Sequence, residues 1–454
     1  MRNILKIISR LLTPPSGGVG EGVALIRADK LFSTIYIAGT AVAIASAMVV
    51  AIVLNIILAD IAPEVNRSRT LYAEGYIMTD STRDAGAPIL PGFSEDAIDS
   101  CFKKMQCVEA AAGVTHYRHT ICNEKMENKV YQMIVGCDTE LYRLYDFTFI
   151  EGRPFSEKEF RDGERVCVIS ESMARKLGNP ERIVFPELEN SPSYRVVGVI
   201  KTVSAMAMFA ASEIYLPYTT KDIQMFGKKK PDMSIDYAGT LEVRILLRKG
   251  YGRNDFLNEL EPMRQHYIAL ASSELGQHAE WVVNADTHFF KNVQFFEKGD
   301  QDLGQKALNL MPIGLMILLF LFLPAINLSG LVANRMEARR PEMGIRKAFG
   351  AKRHTLLHEV IFENLVLTLC GGVVGWLLSW LFIYVSRNND IFVSMFDKGW
   401  NDSFNMDLNF QMFFTPTLFI VCFLCCAVLN LMAALIPSWR SLRKPIVESL
   451  NQKR

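Results

Sequence analysis

Four long apolar stretches divide the chain, and each lacks charged residues over a length that can cross a lipid bilayer. A transmembrane helix needs about 20 apolar residues, and four stretches of this size are not typical of a single soluble core. The predicted spans are residues 33–58, 307–333, 364–386 and 415–437. The pattern therefore predicts an α-helical integral membrane protein with four transmembrane helices.

The long segment between the first two spans, residues 59–306, alternates strand-like and helix-like patterns. Strands are predicted at 70–78, 111–120, 129–136, 165–170, 194–200 and 241–247, and helices at 94–104, 171–177 and 254–270. Ser94 is expected to cap the first of these helices. Residues 60–69 keep helical character, so the first span is expected to continue outward as a stalk. The mixed pattern predicts a large α+β domain with its own core.

Lysine and arginine are concentrated in three segments: before the first span, between the second and third spans, and after the fourth. Positively charged loops stay on the cytoplasmic side of a membrane. Both termini are therefore predicted to be cytoplasmic, and the large domain to lie outside. The predicted cytoplasmic segments are 1–32, 334–363 and 438–454, and the segments outside are 59–306 and 387–414.

The N-terminal segment has apolar residues at helical spacing between Ile4 and Leu12, opposite its basic residues. This spacing predicts an amphipathic helix over residues 2–12 that lies on membrane lipid at the inner surface. The alternative is a frayed terminus. The first apolar run of span length begins only after this segment, so a cleaved signal peptide is not predicted.

Composition adds two constraints. The 454 residues include 49 Lys and Arg against 48 Asp and Glu, so no net field would attract nucleic acid. Five of the nine cysteines lie in the predicted outer domain, where disulfides persist. Their odd number leaves at least one without a partner in the chain, and their spacing fixes no pairing and matches no zinc site. These cysteines are Cys101, Cys107, Cys122, Cys137 and Cys167.

No motif for catalysis is found in the sequence. A phosphate-binding Gly-x-x-x-x-Gly-Lys-Ser/Thr loop is missing, so the chain is not expected to hydrolyse ATP itself. Phe362 occupies the position where a zinc-protease motif starting at His358 needs its second histidine. Ionisable residues are missing from the central part of each span, which disfavours ion-driven transport. The sequence predicts no catalytic residues, no metal site and no cofactor in this chain.

The segment between the second and third spans is short and dense in charges of both signs. Pro341 suits the first turn of a helix, Glu342 favours a helix N-terminus and Gly350 suits a helix end. Residues 341–350 are therefore predicted to form one short amphipathic helix. The alternative is a charged loop that only follows the inside-positive rule. The apolar residues available for docking are Met343, Ile345 and Phe349.

The same segment resembles the signature of ABC transporter permeases of the MacB/FtsX type, roughly Glu-Ile-Gly-Ile-Arg-Lys-Ala-x-Gly-Ala. This chain reads Glu342-Met343-Gly344-Ile345-Arg346-Lys347-Ala348-Phe349-Gly350-Ala351. Only Met343 departs from the signature. The resemblance continues at Phe362-Glu363-Asn364, Gly371-Gly372-Val373-Val374-Gly375 and Pro437-Ser438-Trp439-Arg440-Ser441-Leu442-Arg443-Lys444-Pro445.

Segments of the outer domain resemble the MacB-type periplasmic core. They are Val135-Gly136-Cys137-Asp138, Glu151-Gly152-Arg153-Pro154-Phe155, Val168-Ile169-Ser170, Val196-Val197-Gly198-Val199 and Tyr215-Leu216-Pro217-Tyr218. The resemblance implies a MacB-like periplasmic domain at 59–306, with an inserted subdomain at about 113–235. It also implies a place in the bacterial inner membrane.

The resemblance further implies a permease that works with a separate ABC ATPase, which binds ATP and Mg, and with a second permease as a homodimer or heterodimer. ATP-driven motion would pass through the membrane to the periplasmic domain (mechanotransmission), for efflux or extraction of cargo. A membrane-fusion protein and an outer-membrane channel would join in tripartite efflux. MacB itself has its ATPase in the same chain, and this sequence contains none. FtsX-like members instead regulate a cell-wall hydrolase, which is the alternative function; a third is an anchored enzyme or receptor unconnected with ATP.

Three groups of residues are candidates for function. The residues expected to carry ATPase coupling are Arg339, Glu342, Met343, Gly344, Ile345, Arg346, Lys347 and Gly350. Gly371 and Gly375 form a small-xxx-small pair in the third span, which suits close helix packing within one subunit or between subunits. Met206, Met208 and Phe209 belong either to the buried core or to an adaptable surface for cargo or a partner.

Overall fold

The computed structural model describes residues 30–79, 90–204, 207–220, 222, 240–275, 278–293, 336–386 and 416–443, with 311, 314–315, 319, 330 and 332–334. The chain divides into two compact units. The membrane unit takes its described residues from 1–54, 310–387 and 410–454, and the outer domain from 55–309 and 388–409. The predicted helix at 2–12 and the loop at 387–414 lie outside the described residues.

The helices of the described residues follow the apolar periodicity of the sequence. They are α1 Lys30–Leu58, α2 Glu95–Ser100, α3 Leu141–Leu144, α4 Glu157–Arg161, α5 Glu171–Leu177, α6 Arg253–Leu275, α7 His288–Val293, α8 Arg340–Ala348, α9 Arg353–Ser386 and α10 Pro416–Arg443. Ser94 caps α2 by accepting a hydrogen bond from the Ala97 amide, as predicted. The predicted helix at 94–104 nevertheless ends at Ser100 and is followed by a 3-10 turn, Phe102–Lys104.

Within the described residues, two helical segments are long and apolar enough to cross a membrane, Lys30–Ile52 and Arg353–Ser386. The predicted span at 307–333 falls mostly outside the described residues. Helix α10 contributes a shorter apolar segment, Phe419–Leu429. The count of four spans therefore stays a prediction.

The outer domain is built on one mixed sheet. Its strands are β1 Thr70–Thr79, β2 Leu90–Pro91, β3 Val108–Asn123, β4 Val130–Cys137, β5 Phe149–Gly152, β6 Val166–Ser170, β7 Arg182–Val184, β8 Ser193–Ile200, β9 Ile214–Pro217, β10 Glu242–Leu247 and β11 Ala279–Thr287. Their order is β11-β1-β10-β3-β4-β9-β6-β8-β5, with β2 on β1 and β7 beside β3 and β8. Strand β3 pairs with both β10 and β4, so it lies in the middle of the sheet. The alternation of strands and helices thus forms the predicted α+β domain.

Among the described residues of the outer domain, two clusters of buried apolar side chains form the core. The larger cluster includes Phe93, Phe102 and Trp281. The smaller cluster draws its buried members from 117–216, inside the range predicted for an inserted subdomain. Each cluster packs side chains from several strands, which is how a sheet of this length buries its apolar face.

The five cysteines of the outer domain are all buried and free of disulfide bonds. Burial raises the pKa of the Cys101 thiol and of the Cys107 thiol to about 12. A thiol with so high a pKa stays protonated at neutral pH and reacts slowly. These cysteines therefore act as small apolar packing residues.

A buried ionic cluster lies where the outer domain begins. The carboxylate of Glu64 is 1% exposed and Arg67 is 2% exposed, and Arg67 Nε donates to Glu64 Oε2 at 2.6 Å. Glu64 Oε1 accepts the backbone amides of Phe209 at 2.8 Å and Ala210 at 2.7 Å. One carboxylate therefore ties the start of the domain to a turn far along the chain.

The expected outward continuation of the first span through residues 60–69 is wrong. Helix α1 ends at Leu58, and a 3-10 turn spans Arg67–Arg69. Arg67 Nη1 donates to the backbone oxygen of Ala59 at 2.9 Å, and this bond closes the intervening segment into a compact turn. The tertiary bonds of Glu64 and Arg67 outweigh the helical propensity of this segment.

The helix α4 begins with a capping box that involves a buried charge. The Ser156 side chain accepts from the Glu159 amide, and Glu159 in turn accepts from the Ser156 amide. Arg153 forms two bonds to the same carboxylate, at 2.7 and 2.9 Å. The Arg153 bonds, with the Ser156 bonds, lower the pKa of Glu159 to about 2.

We expect Glu159→Gln to destabilise the outer domain by about 1–2 kcal/mol at pH 7, because it removes the charge that pairs with Arg153. The loss is limited because the Arg153 side chain is 53% exposed, so solvent screens the pair. Because the folded-state pKa lies below the ordinary value of 4.5, this stabilisation is present above pH 4.5 and is lost as the pH falls toward 2. Thermal unfolding of the detergent-solubilised full chain from pH 3 to pH 7 measures the effect.

The matched control is Glu171→Gln, at the first residue of α5. It removes an exposed ion pair between Glu171 and Arg175. It should change stability by less than about 0.5 kcal/mol. A gap between wild type and Glu159→Gln that stays constant down to pH 3 contradicts the electrostatic explanation.

Candidate functional site

Helix α8 occupies the segment for which the sequence predicts a docking helix. It runs from Arg340 to Ala348, with Pro341 and Glu342 in its first turn. Gly350 follows the helix with φ +94°, a left-handed conformation that glycine adopts without steric cost. The Gly350 amide donates to Lys347 O and the Ala351 amide to Arg346 O, both at 3.0 Å, which is the Schellman arrangement.

One face of α8 is buried in the membrane unit. Met343 and Gly344 are buried, and Met343 packs in a cluster with Tyr36 of α1 and with Leu356 and Val360 of α9. The thioether side chain fills an irregular gap between helices, a role that methionine suits. This face holds α8 against the spans and is not available to another protein.

Ion pairs fasten α8 to the start of α9. Arg339 Nη1 lies 2.8 Å from Glu363 Oε2, and this carboxylate is almost fully buried. Arg346 lies between two carboxylates, 2.7 Å from Glu342 on its own helix and 3.0 Å from Glu359 on α9. These pairs add directional contacts to the apolar packing of Met343.

The opposite face of α8 is exposed and partly apolar. Ile345 is 50% exposed and Phe349 is 89% exposed. The two residues are four positions apart, so they lie on the same side of the helix. Lys347 lies between these two residues in the sequence. Burial lowers the pKa of its amine, and the charge of Arg353 adds a smaller contribution.

The structure thus divides the predicted coupling residues into two groups. Met343 and Gly344 support the helix by burial. Arg339 and Arg346 support it through ion pairs, and Ile345 is on the outer face. Phe349, which the sequence offers for docking but which is not among the predicted coupling residues, belongs to the outer face. Glu359 and Glu363 were not predicted. The four-residue spacing of the two glutamates, which places both on one face of a helix, is the sequence signal that points to them.

The glycine pair in α9 lies against the first helix. A Cβ atom on Gly371 would meet the Thr40 side chain at 2.8 Å, and one on Gly375 would meet the Ala41 backbone oxygen at 2.7 Å. Real side chains essentially never approach so closely. In this chain the small-xxx-small pair therefore packs α9 against α1 within one subunit.

The apolar run near residue 208 packs mostly inward. Ala207 and Ala210 are buried, and the Phe209 ring lies 4.1 Å from the Tyr72 ring and 5.4 Å from the His288 ring. Phe209 is therefore a packing residue of the outer domain. Met208 is half-buried, and Met206 lies outside the described residues.

Family models match most of the chain. Residues 33–262 match the MacB-like periplasmic core domain, and residues 314–446 match the FtsX-like permease C-terminal region. The first match covers all of the described sheet except β11.

Two relatives illustrate the sequence similarity. The ABC transporter permease YknZ of Bacillus subtilis is 27% identical over 230 residues, 49% of this chain and 50% of YknZ. The macrolide export ATP-binding/permease protein MacB of Escherichia coli K12 is 24% identical over 321 residues, 69% of this chain and 42% of MacB. The chain thus spans half or less of the length of these relatives.

Two solved structures match about half of the chain. The periplasmic region of MacB from Actinobacillus actinomycetemcomitans is 12% identical, with a TM-score of 0.34, and covers 51% of this chain and 95% of its own. The extracellular domain of the ABC-type transporter YknZ from Gram-positive bacteria is 16% identical, with a TM-score of 0.31, and covers 47% of this chain and 99% of its own.

The core-domain model alone matches half of the chain, and the permease model matches the part that contains α8 and α9. On these matches, the chain belongs to the ABC transporter permeases of the MacB/FtsX type, membrane proteins with a periplasmic core domain.

Proposed function

We propose that this permease transmits the ATP-driven motion of a separate ABC ATPase to its periplasmic domain. Helix α8 is the docking element, and cargo is moved by efflux or extraction on the periplasmic side. A second permease, as a homodimer or heterodimer, completes the membrane part, and both chain termini lie in the cytoplasm. A membrane-fusion protein and an outer-membrane channel are further candidate partners. ATP and Mg are bound by the ATPase subunit.

The observation that carries the proposal is the two-sided character of α8. A docking element that transmits force needs a firm attachment to the spans and a free face for the partner. Met343 and the ion pairs of Arg339 and Arg346 supply the attachment. Ile345 and Phe349 supply the free face.

The exposed face also indicates the chemistry of the partner. When an apolar groove covers an almost fully exposed aromatic side chain, apolar surface leaves water and binding is favoured. A short helix with apolar residues at i and i+4 fits the helix-in-groove mode of recognition. The ATPase surface is therefore expected to present an apolar groove for Phe349, with Ile345 at its margin.

The charges of α8 pair within the chain. Arg346 and Glu342 pair with each other, and Arg346 also pairs with Glu359. Charges that are satisfied within the chain add little to a contact with another protein. We infer that they fix the angle of α8 and that the apolar pair provides most of the affinity.

The test is co-purification of ATPase subunits with the tagged full-length chain. We expect Phe349→Asp to reduce recovery of an ABC ATPase about tenfold or more, because it places a charge in an apolar groove. Phe349 makes a better test than Gly344, since an aspartate at the buried Gly344 would also disturb packing. Thermal unfolding of each variant checks that the permease itself stays folded.

The matched control is His354→Asp, which adds the same charge at an exposed position in the first turn of α9. Its recovery of ATPase should equal that of wild type. If wild type recovers no ATPase, or if Phe349→Asp recovers as much as wild type, the docking assignment is wrong and regulation of a cell-wall hydrolase becomes the better hypothesis.

A further inference from the structure

Two segments connect the outer domain to the predicted spans on either side of it, and their inner ends are neighbours. The entry segment, residues 59–69, follows α1 and leads into β1, and the exit segment, His288–Val293, follows β11 and precedes the predicted span at 307–333. Strands β1 and β11 pair antiparallel, with Leu71 opposite Thr287. The first residues of β1 therefore lie beside the last residues of β11.

Buried polar side chains join the two segments. His288, at the start of the exit segment, is 4% exposed, and its Nε2 lies 4.0 Å from Oε2 of Glu64 in the entry segment. His288 Nδ1 shares a hydrogen bond of 2.9 Å with the hydroxyl group of Tyr72, which is also buried. A hydrogen bond shielded from water is electrostatically stronger than an exposed one. The two segments thus meet in one buried polar cluster.

The 207–210 turn is held by the same cluster. Glu64 Oε1 accepts the amides of Phe209 and Ala210, so the backbone of the turn is bound to the entry segment. The Phe209 ring packs between Tyr72 and His288, with ring centroids at 4.1 and 5.4 Å. One residue of the turn therefore contacts both connecting segments.

The energetics of a buried ion pair favour a role in fixing this arrangement. Replacement of such a pair by apolar residues of similar volume is often neutral or stabilising, because both charges give up their hydration. Removal of one partner alone is strongly destabilising. The Glu64–Arg67 pair therefore adds little stability over an apolar core, but it makes any partial opening of the cluster costly.

We propose that Glu64, Arg67, Tyr72 and His288 form a joint through which the entry segment, the exit segment and the 207–210 turn open and close as one cooperative unit. A displacement of either connecting segment then reaches the turn. That this is where motion from the spans enters the outer domain rests on the proposed function. The cooperative unit itself does not depend on ATPase docking at α8, so its failure and the failure of docking are separate results.

The test is amide hydrogen exchange of the full-length chain in detergent, followed by mass spectrometry of its peptides. Exchange reports the free energy of local opening, and residues that open as a unit share it. Peptides that cover 59–69, 207–210 and 288–293 report the joint. A peptide that covers 166–177, which packs in the smaller apolar cluster, is the reference for opening of the whole domain.

We expect Arg67→Met to speed exchange about tenfold or more in all three joint peptides, and by a similar factor in each, because it leaves a buried carboxylate without one partner. His288→Phe changes the other segment and keeps a ring beside Phe209. It should give the same pattern, including faster exchange in the entry segment. Arg67→Lys keeps the charge and should give a smaller increase with the same distribution, which provides a milder variant if Arg67→Met does not fold.

The control is Lys291→Met, on the same helix as His288, which removes an ion pair with the half-exposed carboxylate of Glu74. Exchange of the entry segment and of the turn should stay within about twofold of wild type. Two results would overturn the proposal. One is faster exchange confined to the segment that carries the substitution, which means that the three parts open independently. The other is an equal increase in the 166–177 peptide, which means that the joint opens only when the whole domain unfolds.

Discussion

Glu64→Ala is expected to destabilise the outer domain by about 3–5 kcal/mol, the usual cost of removing one partner from a buried ion pair. The substitution removes the Glu64 carboxylate from the Arg67 guanidinium, which is 2% exposed. It also removes the acceptor of the Phe209 and Ala210 amides. For a domain of this size the unfolding midpoint should fall by roughly 6–20 °C, as measured by circular dichroism of the full chain in detergent.

Glu64→Gln separates the two parts of this effect. The amide keeps an oxygen that can accept from the two backbone groups, but it loses the charge of the Glu64–Arg67 pair. We expect a loss smaller than that of Glu64→Ala and still clearly above that of a surface substitution. Comparison of the two variants therefore measures the hydrogen bonds against the charge.

The surface control is Glu140→Ala, which breaks a pair with Arg143 whose side chain is 62% exposed. An exposed pair contributes about 0–1 kcal/mol. If Glu64→Ala costs no more than Glu140→Ala, then Glu64 does not hold the start of the domain to the 207–210 turn.

Gly375→Leu is expected to separate α9 from α1 and to lower the stability of the membrane unit by at least about 1–3 kcal/mol. The Cβ atom alone would meet the Ala41 backbone oxygen at 2.7 Å and the Ala45 amide nitrogen at 3.2 Å. A clash with backbone atoms cannot be relieved by a change of rotamer, so one helix must move. Titration with sodium dodecyl sulfate, followed by helical circular dichroism, measures the loss.

Val373→Leu is the control, because it adds one methylene at a position of α9 that is 51% exposed. It should leave the unfolding midpoint within about 0.5 kcal/mol of wild type. If Gly375→Leu unfolds at the same point as wild type, the glycines do not pack α9 against α1. If Gly375→Leu changes the oligomeric state but not the unfolding of the single subunit, the pair belongs to a subunit interface.

Much of the outer domain follows from local sequence signals. The helix at 171–177, the strand at 194–200 and the Ser94 cap were all predictable, because apolar periodicity and capping act over a few residues. The boundaries of α8 were predictable for the same reason, since Pro341 and Gly350 act within one turn. The strand β11 was not predicted, since its place in the sheet depends on pairing with the distant β1.

Local patterns of residues are enough to predict apolar helices, an α+β domain between the first two predicted spans, and a short helix with a specific family signature. Which side of α8 is free follows only from the packing of the folded chain. Met343 and Phe349 are both apolar, and only contacts with Tyr36 and Leu356 bury one of them and leave the other exposed. The same packing brings Glu64 to the Phe209 amide across 145 residues. Such contacts join residues far apart in the chain, so no local pattern encodes them.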